Sequence, residues 1–308
     1  MPSLKTHASL VVLALLISSG MVAQSNTPDT VPVTVVACVE AKHGKGIPTI
    51  NKEDVRAFYG KDRVPVAEWT PLQGDQAGLE LFILVDDSSD SSVGSQLDDL
   101  RKFMEAQPPT TAIGVAYLRD GGLDLRQNLT TDHALAAKAL RIPMGLVGAG
   151  ASPYLSLTDL IKRWPASKNR HEVFMVSPGI DWLQPGPSDS YLQETIEQAQ
   201  RAGVQVYSIY TPHVGHFGHS FWRYNWAQSN LSQLADETGG EAYYQGFQAP
   251  ISFAPYLDQF ADRLRHQYRL TLMMKADNKP AFRHVKIETE VPNAEIVIAD
   301  HIYVPARQ

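Results

Sequence analysis

Leu79-Glu80-Leu81-Phe82-Ile83-Leu84-Val85 runs straight into Asp86-Asp87-Ser88-Ser89-Asp90-Ser91. The first part is nearly continuous apolar sequence ending at a polar cluster, the pattern of a strand buried on both faces. Ser92 to Gln107 then places Val93, Leu97, Leu100, Phe103 and Met104 at three- and four-residue spacings, which predicts a helix. A buried strand feeding a helix through a short polar loop is the unit of an open α/β sheet. In such sheets ligands sit beyond the carboxyl ends of the strands. The stretch therefore sets both the fold class and the place to look for a site.

Downstream the alternation continues. Residues 112–118 and 123–129 form a predicted hairpin around Asp120-Gly121-Gly122. Helices are expected over 131–141, 153–164, 189–202, 231–238 and 251–265, with strands at 173–176, 204–210 and 242–244. This pattern predicts a Rossmann-like, doubly wound, mostly parallel sheet with helices on both faces, spanning residues 78–265. After Gln267 the helices stop, and 268–275, 282–291 and 295–299 read as strands. Upstream, 33–39 reads as a strand, Asn51 as the cap of a short helix through Val55 and Phe58, and 64–78 as an irregular crossing. The flanks 24–77 and 266–308 are thus expected to build a small antiparallel β unit from both chain ends, with the α/β domain inserted between them.

Composition narrows the class. The 308 residues carry 27 Lys+Arg against 33 Asp+Glu, a net charge of −6, and 44% hydrophobic residues. That is too apolar for a disordered chain and gives no broad basic field for nucleic acid or anionic lipid. One cysteine, Cys38, permits neither an internal disulfide nor a thiolate zinc cluster, and a buried strand thiol is the expected reading. Lys5 and His7 followed by the apolar run Ala8–Ile17 and Gly20-Met-Val-Ala-Gln24 describe a secretory signal over 1–23, cut after Ala23. The mature chain is then expected in the periplasm or outside the cell, with no membrane span.

The loop at 86–91 offers short oxygen side chains at alternate positions, which suits a hard divalent cation such as Mg²⁺. The sequence here resembles the von Willebrand factor type A (VWA) domain, in particular an exported bacterial VWFA-related group. That family carries a metal-ion-dependent adhesion site, Asp-x-Ser-x-Ser, after its first buried strand. Asp87-x-Ser89-x-Ser91 matches it, and Asp86-x-Ser88-x-Asp90 matches in the register nearer the strand. The resemblance implies a Mg²⁺ (or Mn²⁺ or Ca²⁺) site at Asp86 or Asp87, Ser89, Ser91 and Ser152. Where the family has Thr-Asp-Gly this chain has Ser177-Pro178-Gly179, so Asp181 is the candidate to replace the missing carboxylate.

His213, His216 and His219 follow the fifth strand of the domain on the same edge, beside Phe221, Trp222, Tyr224 and Trp226. Three imidazoles at this spacing suit zinc, nickel or copper, and clustered aromatics suit a binding surface. There is no Gly-x-Ser-x-Gly elbow, Walker-type loop or dinucleotide fingerprint. The leading expectation is a non-enzymatic adhesion module whose cation takes a carboxylate of a protein partner as its last ligand. Two others stand beside it: metal-independent binding through residues 213–226, and a hydrolase using the three histidines.

Overall fold

The computed structural model describes residues 30–44, 46–145, 152–214 and 220–307. The signal segment, His216 and His219 lie outside these residues. The elements, in chain order, are β1 (Thr30–Ala41), β2 (Val55–Tyr59), β3 (Asp62–Val64), β4 (Val66–Pro71), β5 (Leu79–Asp86), α1 (Leu97–Glu105), β6 (Thr111–Arg119), β7 (Gly122–Thr130), α2 (His133–Lys138) and α3 (Pro153–Arg163). Then come β8 (Arg170–Ser177), α4 (Ser190–Ala202), β9 (Val204–Tyr210), α5 (Phe221–Thr238), β10 (Ala242–Tyr243), α6 (Ala254–Arg265), β11 (Gln267–Lys275), β12 (Ala281–His284), β13 (Lys286–Thr289), β14 (Ala294–Val297) and β15 (His301–Val304).

The central sheet has the order β10-β9-β8-β5-β6-β7, parallel except for the β6–β7 hairpin. Every residue of β5 is buried, as its apolar run requires. Odd positions Leu79, Leu81, Ile83 and Val85 face one core with α1, α2 and α6; Phe82 and Leu84 face another with α3, α4 and α5. That two-period division of one strand between two helical layers is the doubly wound arrangement expected from sequence. The chain leaves β5 toward β6 on one side while β8 flanks it on the other, so the switch point lies at the carboxyl ends of β5 and β8.

The chain ends meet in the sheet β14-β1-β11-β4, where β1 pairs antiparallel with β11 over nine residues. Cys38 lies within β1, fully buried, and burial pushes its thiol up to about 12. The β unit is joined to the amino-terminal edge of the central sheet by buried amides: Gln205 donates to the Val36 carbonyl at 3.2 Å, and Gln267 donates to Gln205 at 3.0 Å.

Local readings shift in several places. The helix expected from Asn51 is one 3-10 turn, Lys52–Asp54, because Val55 and Ala57 alternate with more exposed neighbours as β2 does against β3 and β13. The crossing 64–78 contains β4, an edge strand that tolerates Pro71. The helix expected at 92–107 begins as a 3-10 segment, Ser91–Ser95, before α1. The strand expected at 282–291 divides at buried Val285 into β12 and β13, which pair in different sheets, and β15 was not anticipated.

Glu172 on β8 is fully buried. Its nearest cation is Arg170 Nε at 4.0 Å, and the Gln267 side chain is the hydrogen-bonding group beside its carboxylate. Burial raises its pKa against the pull of Arg170. A raised folded-state pKa contributes stability below the unfolded value of about 4.3 and loses it as pH rises through the folded value. Glu172→Gln should therefore melt above the wild type at about pH 8, with the gap narrowing toward about pH 5. Calorimetry giving equal gaps at both pH values would refute this.

Candidate functional site

The polar loop after β5 sits at the switch point, and its two aspartates face different partners. Asp86 is buried; its Oδ1 accepts from the Ser88 amide at 2.9 Å and the Ser88 hydroxyl at 2.6 Å, and its Oδ2 from the Ser177 hydroxyl at 2.8 Å. Burial raises its pKa, and the Ser88 and Ser177 bonds pull it back. Ser177 ends β8 beside β5, so the bond closes the cleft between strand ends. Ser177 Oγ in turn accepts from the Gly179 amide at 2.9 Å, and Tyr154 donates to the Gly179 carbonyl at 3.0 Å. Gly179 has φ +64°, and an added Cβ would meet the Ala227 carbonyl at 2.8 Å, so the Ser177-Pro178-Gly179 turn is pressed against α5.

Asp87, 1% exposed, is held on both oxygens by Arg141, at 2.6 and 2.7 Å, with the Met144 amide at 3.2 Å. Arg141 lies 3.8 Å over the Tyr117 ring, and the Tyr117 hydroxyl donates to the Arg141 carbonyl and accepts from its amide, both at 2.6 Å. This bidentate charge-assisted pair raises the Arg141 pKa through the Asp87 hydrogen bond.

The other loop donors are also engaged. Ser89 Oγ meets Thr211 Oγ1 at 3.0 Å, and Asp90 accepts from the Ser92 amide at 2.8 Å. Ser91 is exposed on the following 3-10 segment. Ser152 caps α3 by accepting from the Leu155 amide at 3.3 Å. Ser152 does share a cleft with Asp86, Asp120 and Ser156, but its volume is about 10 Å³, room for about one water. Asp181 keeps company with Asp189. Each spends Oδ1 on backbone amides, those of Leu183 and Gln184 for Asp181 and of Tyr191 and Leu192 for Asp189. Each keeps its Oδ2 buried, and burial, with the Asp181 charge and carboxyl beside it, raises the Asp189 pKa.

In the register that begins at Asp87, this donor set does not fit a resident Mg²⁺, Mn²⁺ or Ca²⁺. A hard cation needs oxygen lone pairs converging on one point. Here the Ser88 and Ser177 hydroxyls donate to Asp86, a guanidinium occupies Asp87, and Pro178 adds no oxygen to the side-chain set.

His213 is 2% exposed, its Nδ1 2.6 Å from the Val214 carbonyl and its ring tilted against Trp182, centres 4.8 Å apart. Burial lowers its pKa against the opposing pull of the Val214 carbonyl and the Asp86 charge. Phe221, Trp222, Tyr224 and Trp226 lie on the first turns of α5 rather than in a loop. Tyr224 is buried and Trp226 half-buried, while Phe221 and Trp222 are 59% and 65% exposed. Phe221 packs edge-on to Trp222 at 5.7 Å and to Phe247 at 5.8 Å, and Phe247 also touches Tyr224 at 5.3 Å. The loops around this cluster, all at the carboxyl edge, expose Ile142, Met144, Leu183 and Ile251. Sequence reasoning missed these four, Phe247 and Arg141. Only Arg141, a lone cation just after a helix, left any trace, and it has no motif.

No family model and no curated protein matches the sequence. Among solved structures, the chain is similar to an aerotolerance-related membrane protein from Bacteroides fragilis, at 11% identity over 61% of this chain and 98% of that one, TM-score 0.45. It is similar to BatB from Bacteroides thetaiotaomicron at 10% identity over 61% and 98%, TM-score 0.41. It is likewise similar to the ArnB paralog VWA2 from Sulfolobus acidocaldarius at 10% identity over 89% and 76%, TM-score 0.40.

Proposed function

We propose that this protein is a VWA-type interaction module, without catalytic chemistry, that captures a protein partner on its carboxyl-edge face without a bound cation. The observation that carries this reading is the exposed Phe221–Trp222–Phe247 cluster, set on a sheet edge where the loops also expose aliphatic side chains. Clustered exposed aromatics of this kind act as contact anchors, because they bury large area with few rotatable bonds. The Asp86 and Asp87 networks then serve as a scaffold. They fix the loop that the family uses for metal, with Arg141 and two serine hydroxyls filling the role of the cation. Residues 8–24 support export and action in the periplasm or outside the cell. No helix among the described residues is long and apolar enough to cross a membrane.

The competing version keeps a cation at Asp86, Ser88 and Ser152 that takes a partner's carboxylate, supported by the cleft Asp86 and Ser152 share. Crosslinked pulldown of a partner, with and without a chelator, separates the two. The cation-free reading expects capture unchanged in chelator and no heat with Mg²⁺. It also expects Trp222→Ala to weaken capture about 30-fold, the effect of losing an anchor worth about 2 kcal/mol. Loss of capture in chelator together with full capture by Trp222→Ala would establish the metal-bridged version instead.

A further inference from the structure

At the opposite end of the molecule the chain assembles a second group of potential ligands. His284 ends β12, His301 begins β15, and the register of this antiparallel pair places the two directly opposite each other. Residues directly opposite in such a pair have Cβ atoms about 4.5–5.5 Å apart, so the side chains share one spot on the ribbon. Asp300 stands between them. Its Oδ1 is 3.0 Å from His284 Nδ1 and its Oδ2 is 2.8 Å from His301 Nδ1, so a single carboxylate spans both imidazoles. The two rings lie 5.6 Å apart, and one ligating atom from each of the three residues falls within 4.8 Å of the others.

The backbone beneath this group is fixed on several sides. Phe282 and Tyr303 pack as a tilted pair across the same strands, ring centres 5.5 Å apart, Arg201 of α4 lies 4.6 Å over Tyr303, and the Asp300 amide donates to the Glu237 carbonyl of α5 at 3.2 Å. The ligand atoms themselves face solvent, with side-chain exposures of 62%, 42% and 41% for His284, Asp300 and His301. An ion therefore has an entry path, and positions beyond the three protein ligands stay open to water.

We propose that His284, Asp300 and His301 form a binding site for a borderline divalent transition metal, with Zn²⁺ as the representative ion. Two imidazole nitrogens and one carboxylate suit Zn²⁺, Ni²⁺ or Cu²⁺, whereas Mg²⁺ and Ca²⁺ favour all-oxygen sets. Zinc bonds of about 2.0–2.2 Å to nitrogen and oxygen need only rotation of exposed side chains about the present arrangement. To take the ion, each Nδ1 presents its lone pair in place of its present contact with Asp300, and the ring's single proton sits on Nε2, so the neutral imidazoles bind without net loss of a proton. Bound metal would also pin β12 to β15.

The test is calorimetric titration of the full chain with Zn²⁺, alongside thermal melts with and without the ion. The wild type should bind one equivalent and melt higher with zinc, since an ion held only by the folded state stabilises it. His284→Ala and His301→Ala should each bind at least tenfold more weakly, removal of a ligand exceeding the roughly 10–100-fold cost of losing an outer-shell partner. Both should keep the metal-free melting temperature, because these side chains are exposed. A His216→Ala/His219→Ala double variant should bind as the wild type does. The proposal is overturned by a wild type that takes up no zinc at about 100 µM, well above the range of a built site. It is equally overturned by retention of binding in His284→Ala and His301→Ala, or by loss of binding in the His216/His219 variant alone. These readouts involve no partner capture, so they stand apart from the tests of the carboxyl-edge face.

Discussion

Arg141→Ala is expected to destabilise the protein by about 3 kcal/mol, the low end of the range for removing one partner of a buried ion pair. The low end applies because Arg141 keeps 26% of its side-chain surface in water while Asp87 keeps 1%. The loss comes chiefly from Asp87, whose carboxylate would keep the Met144 backbone amide as its remaining hydrogen-bond donor among the described residues. For a domain of this size the melting temperature should fall by roughly 6–12 °C. Asp87→Asn in the same background should recover more than half of the loss, because a neutral amide does not need the guanidinium. A single-variant shift under about 2 °C, or a double variant no better than the single, would mean that the pair is not what holds the loop.

Gly240→Ala is expected to cost at least about 3 kcal/mol, the upper range for forcing extra volume into a packed site. An added Cβ would lie 1.9 Å from the Val206 carbonyl oxygen and 2.6 Å from its carbon, both backbone atoms of β9. β9 is paired with β8 through seven consecutive residues, so it cannot retreat without breaking the sheet. Chemical denaturation should show a lower midpoint with an unchanged slope. A stability loss below about 1 kcal/mol would show that β9 yields more readily than a paired internal strand should.

What the sequence conveyed and what it withheld divide along a physical line. The apolar run of β5 and the helical spacings after it report burial, which is a property of each residue's own side chain. The parallel sheet, its two helical layers and the antiparallel β segments contributed by both ends could therefore be read in advance. The contents of the site could not. Asp86 and Asp87 are adjacent and alike in sequence; what separates them is Arg141, 54 residues downstream of Asp87, and Ser177, 91 residues downstream of Asp86. A motif with its oxygens free and one with its oxygens occupied are the same string of letters. Likewise the aromatics at 221–226 were visible as a group. Only the start of α5 at Phe221 determines that Phe221 and Trp222 point outward while Tyr224 turns in to face Tyr210. β2 was misjudged because Asn51 is a good helix cap and pairing with residues 286–289 outweighed that local preference.

The pairing of β1 with β11 also governs the order in which the protein can be assembled. The hydroxyls of Thr34 and Thr271 meet at 2.9 Å across 237 residues of intervening chain. During synthesis, at about 5–20 residues per second, the valine-rich first strand emerges long before its partner exists. The whole parallel sheet can close while β1 waits with its hydrogen-bonding groups unpaired. Such a strand is open to pairing with other chains, so a strand made late is the one that ends the risk of aggregation incurred by an early one.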